Sequence, residues 1–202
     1  MDAATGGEYN NVAIGSDALG SENSNADYCV AIGREALALQ NADVKNTAIG
    51  GLAGDAIEGG DENTYVGYAA GSASVDVDGN TAIGHMAYVK GTGASNTVIG
   101  GGAGSSAKNS STALSGDDNV IIGRSAGYDL TTGPGNVLVG RSAGANMTIG
   151  DYNIAIGFEA AVVMVGSSDN NIAIGKRALQ TEASGANSVS YTHLTLPTIY
   201  SV

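Results

Sequence analysis

Asn46-Thr47-Ala48-Ile49-Gly50-Gly51-Leu52-Ala53 is answered by Asn63-Thr64-Tyr65-Val66-Gly67-Tyr68-Ala69-Ala70, and again by Asn80-Thr81-Ala82-Ile83-Gly84-His85-Met86-Ala87. Followed outward, the Ile-Gly or Val-Gly pair recurs with its glycine at Gly15, Gly33, Gly50, Gly67, Gly84, Gly100, Gly123, Gly140, Gly157 and Gly175. The steps are 18, 17, 17, 17, 16, 23, 17, 17 and 18 residues. An alanine stands three residues after each glycine, from Ala18 to Ala178. Four residues before it stands Asn11, Asn46, Asn63, Asn80, Asn96, Asn119, Asn136, Asn153 or Asn171; Cys29 takes the remaining slot. The unit is N-x-x-[IV]-G-x-x-A followed by a looser stretch, and ten copies in register are no accident of composition.

Asn followed by three residues rich in Val, Ile, Thr and Ala reads as a short strand bounded by a turn residue. Strand side chains alternate, so the slot after Asn and the slot before Gly share one face. The pre-glycine slot is always Ile or Val: Ile14, Ile32, Ile49, Val66, Ile83, Ile99, Ile122, Val139, Ile156 and Ile174. Its constancy assigns it to the interior. The middle slot is mostly Ala but admits Tyr65, Val98, Ile121 and Leu138, which assigns it outward or towards another chain. The glycine marks a backbone angle or an approach too close for a Cβ, and the alanine a corner with room for one methyl group. One strand in about seventeen residues buries too little alone, whereas stacked copies share a core. The expectation is an all-β β-solenoid of about ten coils, roughly 45–50 Å long, with the asparagines aligned as a ladder. Its thin core predicts a homo-oligomer, a homotrimer about the rod axis, with the second face buried between copies.

The remaining composition agrees. The 202 residues include 32 Gly, 1 Phe, no Trp and a net charge of −12, so a core of large aromatic side chains is excluded. At 43% hydrophobic the chain is too apolar for an acidic disordered segment. A single cysteine rules out a disulfide framework. Phosphate binding through a basic face is likewise excluded, so no nucleic-acid partner is expected. No apolar run nears the roughly 20 residues of a membrane helix.

The pattern resembles the head repeat of trimeric autotransporter adhesins and the related repeat of phage tail fibres. It is carried by Asn11-Val12-Ala13-Ile14-Gly15 with Ala18 and by Asn171-Ile172-Ala173-Ile174-Gly175 with Ala178; Asn46 to Gly50 and Asn80 to Gly84 are closer to the fibre variant. The resemblance implies a left-handed parallel β-roll, three chains per head, and an extracellular place on a bacterial surface or a virion. It also implies a non-enzymatic role, attaching to or spacing a host-cell receptor, glycan or matrix protein. The bacterial repeat is shorter, so the loops here should be longer.

The repeat is read over residues 1–187. From Ser188 the pattern fails, and Val189-Ser190-Tyr191-Thr192-His193-Leu194-Thr195-Leu196-Pro197-Thr198 reads as one translated frame of a transposon-end sequencing adapter. Residues 188–202 are therefore assigned to a non-native tail on a fragment.

Little reactive chemistry stands out. His85 occupies a variable slot and reads as an exposed loop residue; Cys29, in an Asn slot, reads as a buried or half-buried structural thiol. No catalytic pair, zinc spacing or phosphate loop is present, and no cofactor or metal is called for. Asp76 and Asp78, like Asp61-Glu62, Asp117-Asp118 and Asp169, read as turn residues rather than a calcium loop. Tyr65, Tyr68 and Tyr88 fall in neighbouring units and suggest an outward patch for sugar or protein. The 23-residue step places an insertion within Ser105–Gly116, a candidate ligand-contacting loop. Two rival readings are a hexapeptide-repeat acyltransferase, which needs more than His85, and an ice-binding solenoid. The latter has only the short ladder Thr47, Thr64, Thr81 and Thr97.

Overall fold

The structure, a computed structural model, describes residues 10–20, 27–41, 45–105, 113–164, 168–182 and 186–192. Each repeat contributes one three-residue strand: β1 (Val12–Ile14), β2 (Val30–Ile32), β3 (Thr47–Ile49), β4 (Thr64–Val66), β5 (Thr81–Ile83) and β6 (Thr97–Ile99). The series continues with β7 (Val120–Ile122), β8 (Val137–Val139), β9 (Ile154–Ile156), β11 (Ile172–Ile174) and β13 (Val189–Tyr191). These pair in parallel, each with the next, into one eleven-stranded sheet; β10 (Val163–Met164) and β12 (Thr181–Glu182) form a second, two-stranded one. Every regular element among the described residues is a strand, and the architecture is a parallel β-solenoid. Ala48, Tyr65, Ala82, Val98, Ile121 and Leu138 lie opposite one another in succession. The 23-residue step leaves that register intact.

The alternation is as expected, but its sense is reversed. The middle slot is the interior: Ala31, Ala48, Tyr65, Ala82, Val98, Ile121, Leu138 and Ala155 are all fully buried. The slots assigned to the core face out. Ile14, Ile49, Ile83, Ile156 and Ile174 are exposed, and Ile32, Val66, Ile99, Ile122 and Val139 are half-buried. They do form one column, but on the outer surface of the sheet.

The interior is completed by two slots in the stretch that looked loose, four and seven residues after the turn glycine. Volume is balanced within each rung. Tyr65 in the strand is matched by Gly71 and Ser74; a Cβ on Gly71 would lie 2.6 Å from the Tyr65 ring. In the next rung Ala82 is small, Tyr88 fills the space, and Gly91 leaves room for its ring. Leu138 is paired with Gly144 and Met147, and Ala48 with Gly54 and Ile57. Close packing at roughly constant rung volume explains why no single one of these slots keeps one residue type. The corner alanines from Ala36 to Ala178 are buried, as expected of a site with room for one methyl.

Backbone groups in the turns are satisfied between rungs. The residue two after the glycine has positive φ and donates to the rung before, as Leu52 N–H does to Arg34 O at 2.9 Å. The residue four after also has positive φ and donates to the rung after, as Gly54 N–H does to Ala70 O at 3.0 Å. The left-handed conformation that Leu52 and Tyr88 adopt is unfavourable for an L-residue, and these axial bonds offset it.

The asparagine ladder forms as predicted; Asn11 at its start is half-buried, and the members from Asn46 to Asn171 are buried. Asn119 Oδ1 accepts the backbone N–H of Asn136 at 2.8 Å, and Asn96 Oδ1 that of Asn119 at 2.9 Å. Nδ2 of Asn46, Asn63, Asn80, Asn96 and Asn136 reaches a loop carbonyl of the following rung, as Asn46 does to Gly60 O at 2.7 Å and Asn136 to Gly150 O at 2.8 Å. Nδ2 of Asn119, Asn153 and Asn171 instead donates back to Oδ1 of the preceding ladder asparagine. Cys29 is buried in its slot, and Gln40 bridges the substitution. Gln40 Nε2 donates to Cys29 Sγ at 3.1 Å, and its Oε1 accepts from Asn46 Nδ2 at 3.3 Å.

The stack runs one rung past the boundary read at 187. Ser188, not Asn187, takes the ladder slot, its N–H donating to Asn171 Oδ1 at 2.7 Å. Asn187 instead has positive φ, as Asn170 does one rung earlier. Ser190 stands in the inner slot and Thr192 in the glycine slot. Residues 193–202 lie outside the described residues.

Candidate functional site

Among the described residues, nothing covers the outer face of the long sheet. Its two columns are the slot after Asn, running Val12, Val30, Thr47, Thr64, Thr81, Thr97, Val120, Val137, Ile154 and Ile172, and the pre-glycine column. From β1 to β11 no charged residue enters either column. At about 4.8 Å per rung, the ten rungs from β1 to β11 make a flat strip some 43 Å long on an order-of-magnitude reckoning. An apolar strip of that continuity is a candidate interaction surface, whereas scattered exposed aliphatics would mean nothing. The sequence reading placed the association face on the alanine side; that side is buried inside the rod, and the Ile/Val side is the one that faces out.

The three tyrosines separate. Tyr65 and Tyr88 are fully buried, so they cannot form an outward patch; Tyr68 alone of the three is exposed. Tyr88 hydroxyl donates to Gly93 O at 2.6 Å and accepts from Asn96 Nδ2 at 3.1 Å. Tyr65 hydroxyl donates to Asn63 Oδ1 at 3.3 Å. Desolvation by burial pushes both phenols far above their ordinary range. The unfolded chain ionises them near pH 10, but the folded rod holds them neutral to higher pH. Their contribution to stability is therefore complete below about pH 10 and falls above it, by about 1.4 kcal/mol per pH unit for each tyrosine. Thermal melts from pH 9 to 12 should show this decline, and it should flatten in the double variant Tyr65→Phe/Tyr88→Phe.

The other candidates resolve into structure. His85 is exposed, stacked on Tyr68 with ring centroids 5.6 Å apart. The loop carboxylates accept backbone N–H groups of the preceding rung: Asp76 from Gly59 at 2.8 Å, Asp78 from Asp61 at 3.0 Å, Asp117 from Ala94 at 2.8 Å and Asp169 from Asp151 at 3.0 Å. Among the described residues, no group of three His, Cys, Asp or Glu converges as metal ligands would. Of the stretch Ser105–Gly116 that holds the insertion, residues 106–112 lie outside the described residues; Leu114, within it, is fully buried in the inner column. No helix among the described residues is long and apolar enough to cross a membrane.

One further feature went unread in the sequence: a cleft of about 520 Å³ on the rim where the chain leaves the sheet, lined by His85, Lys90, Gly101, Arg124 and Tyr128 among others. Only its emptied slot, Gly101 in a position held by Tyr68, His85 and Arg124 in neighbouring rungs, is visible in the sequence. Compared with models of known protein families, with curated proteins and with solved structures, the chain finds no match.

Proposed function

We propose that the chain is a non-enzymatic rod that assembles with two further copies of itself through the Ile/Val/Thr strip, and that the trimer attaches to a host surface or spaces an attachment site. The uncovered strip carries this reading. A partner for it must present flat apolar side chains at the same rung spacing over the same length, and a second copy of this repeat does so rung for rung. The number three, and the extracellular setting on a cell surface or virion, rest on the likeness of N-x-x-[IV]-G-x-x-A to adhesin and fibre repeats. The buried polar side chains support a structural role, because the ladder asparagines and Gln40 are committed to bonds between rungs.

Light scattering coupled to size exclusion should give three chain masses for the protein. The variant Ile49→Asp/Ile83→Asp/Ile122→Asp should be monomeric or fail to accumulate, whereas Asp76→Asn on the loop side should leave the mass unchanged. A monomeric parent protein would end the proposal. One observation favours a second reading: Thr47, Thr64, Thr81 and Thr97 line up on this same outer face. Thermal hysteresis by the protein, with a Thr64→Val/Thr81→Val variant losing it, would favour an ice-binding surface instead.

A further inference from the structure

The slot immediately after the turn glycine forms a column along the rim of the rod. From the second rung it runs Arg34, Gly51, Tyr68, His85, Gly101, Arg124, Arg141, Phe158 and Lys176, and several neighbours in it layer on one another. His85 stacks on Tyr68 at an interplanar angle of 19°, and the Arg141 guanidinium lies 5.5 Å from the centre of the Phe158 ring. Two glycines interrupt the column, and the interruptions differ. At Gly51 the Tyr68 ring leans across, 3.7 Å from where a Cβ would be. At Gly101 a Cβ would find, among the described residues, only the His85 carbonyl oxygen within 4 Å, at 3.9 Å. The empty layer lies between His85 on one side and Arg124 on the other, two rung steps or roughly 9–10 Å apart in the backbone.

That empty layer opens into the cleft of about 520 Å³, a size typical of small-molecule sites. Its charge is the reverse of the molecule's. Net charge is −12 with only 8 Lys and Arg, yet Lys90 and Arg124 both line this cleft. Among the described residues neither forms an ion pair, whereas Arg34, Lys45 and Arg177 each pair with a glutamate. Two cations, a ring face and Tyr128 thus surround one vacant layer. Aromatic faces suit the C–H face of a pyranose, and a planar guanidinium suits a carboxylate or sulfate.

We infer that this cleft binds an acidic sugar residue, its ring taking the layer vacated at Gly101 and its carboxylate or sulfate held by Arg124 and Lys90. This deepens the reading of the rod as an attachment protein by naming what it attaches to. The backbone at Gly101 is not left-handed, and neighbouring rungs carry Tyr68, His85 and Arg124 in its slot, so Gly101→Tyr should fill the layer without disturbing the fold.

Calorimetric titration of the protein with a heparin octasaccharide (sulfate) and with 3′-sialyllactose (carboxylate), against neutral lactose, tests this. At least one acidic probe should bind and lactose should not. Raising salt from about 50 mM to about 500 mM should weaken the binding. Arg124→Gln should lower affinity about tenfold or more, and Gly101→Tyr should abolish binding with an unchanged melting temperature and oligomer mass. The inference is overturned if neither acidic probe binds, if lactose binds equally well, or if Gly101→Tyr binds like the parent. A trimer that binds none of the probes sinks this inference alone; a monomer that binds an acidic probe sinks the assembly and leaves the site standing.

Discussion

Gly67→Val should leave no folded protein. A Cβ at Gly67 would lie 2.6 Å from the carbonyl oxygen of Gly84 and 2.7 Å from its carbon, distances that side-chain relaxation cannot relieve because both atoms are backbone. The φ of +132° is also one that a β-branched residue does not adopt. Moving the rungs apart would break the bond from Gly84 N–H to Val66 O, 2.8 Å long, and others along the same corner. The expected loss exceeds about 5 kcal/mol, beyond what most single substitutions cost. Gly79→Asn is the matching control. Gly79 has φ +66°, a Cβ there would meet nothing closer than 3.8 Å, and Asn10, Glu62 and Ser95 adopt the same conformation in that slot. Its unfolding free energy from a urea titration should stay within about 0.5 kcal/mol of the parent. Comparable losses in the two variants would refute the close-approach account.

Asn119→Ala should be the next most damaging. The Asn119 side chain accepts from the backbone N–H of Asn136 at 2.8 Å and from Asn136 Nδ2 at 3.1 Å, and donates to Asn96 Oδ1 at 3.0 Å. All three residues are buried, so water cannot replace what is removed. Orphaned buried groups cost about 1–3 kcal/mol each, so a total of about 3–5 kcal/mol is expected. Asn119→Asp keeps the acceptor but loses the donor and buries a carboxyl; it should be destabilised at neutral pH and partly restored in acid. Urea unfolding at fixed protein concentration measures both, the concentration being held because assembly adds to apparent stability. An alanine variant within 1 kcal/mol of the parent would mean that the ladder is ornamental.

The period, the strand positions, the glycine corners and the ladder were all legible, because each is enforced at the same slot in every rung. The facing of the strand was not. Interiors were equated with constancy, and here the inner slot varies from Ala48 to Tyr65 to Leu138 since Gly54, Gly71 and Gly144 absorb the difference. The constant column, Ile49 to Ile83, is uniform because it builds a flat outer strip. Tyr65 and Tyr88 were misread for the same reason: their compensating partners, Gly71 and Gly91, lie in the part of the repeat that shows no motif. The rim cleft has no motif of its own, because it is made by a missing side chain at Gly101.

Because each rung balances its own volume and exchanges the same bonds with whatever rung lies above and below, a whole unit can be duplicated or deleted by recombination without redesigning its neighbours. Each such event changes the reach of the molecule by one step of about 4.8 Å. The repeat is therefore a ruler as well as a scaffold, and evolution can set its length in cassettes.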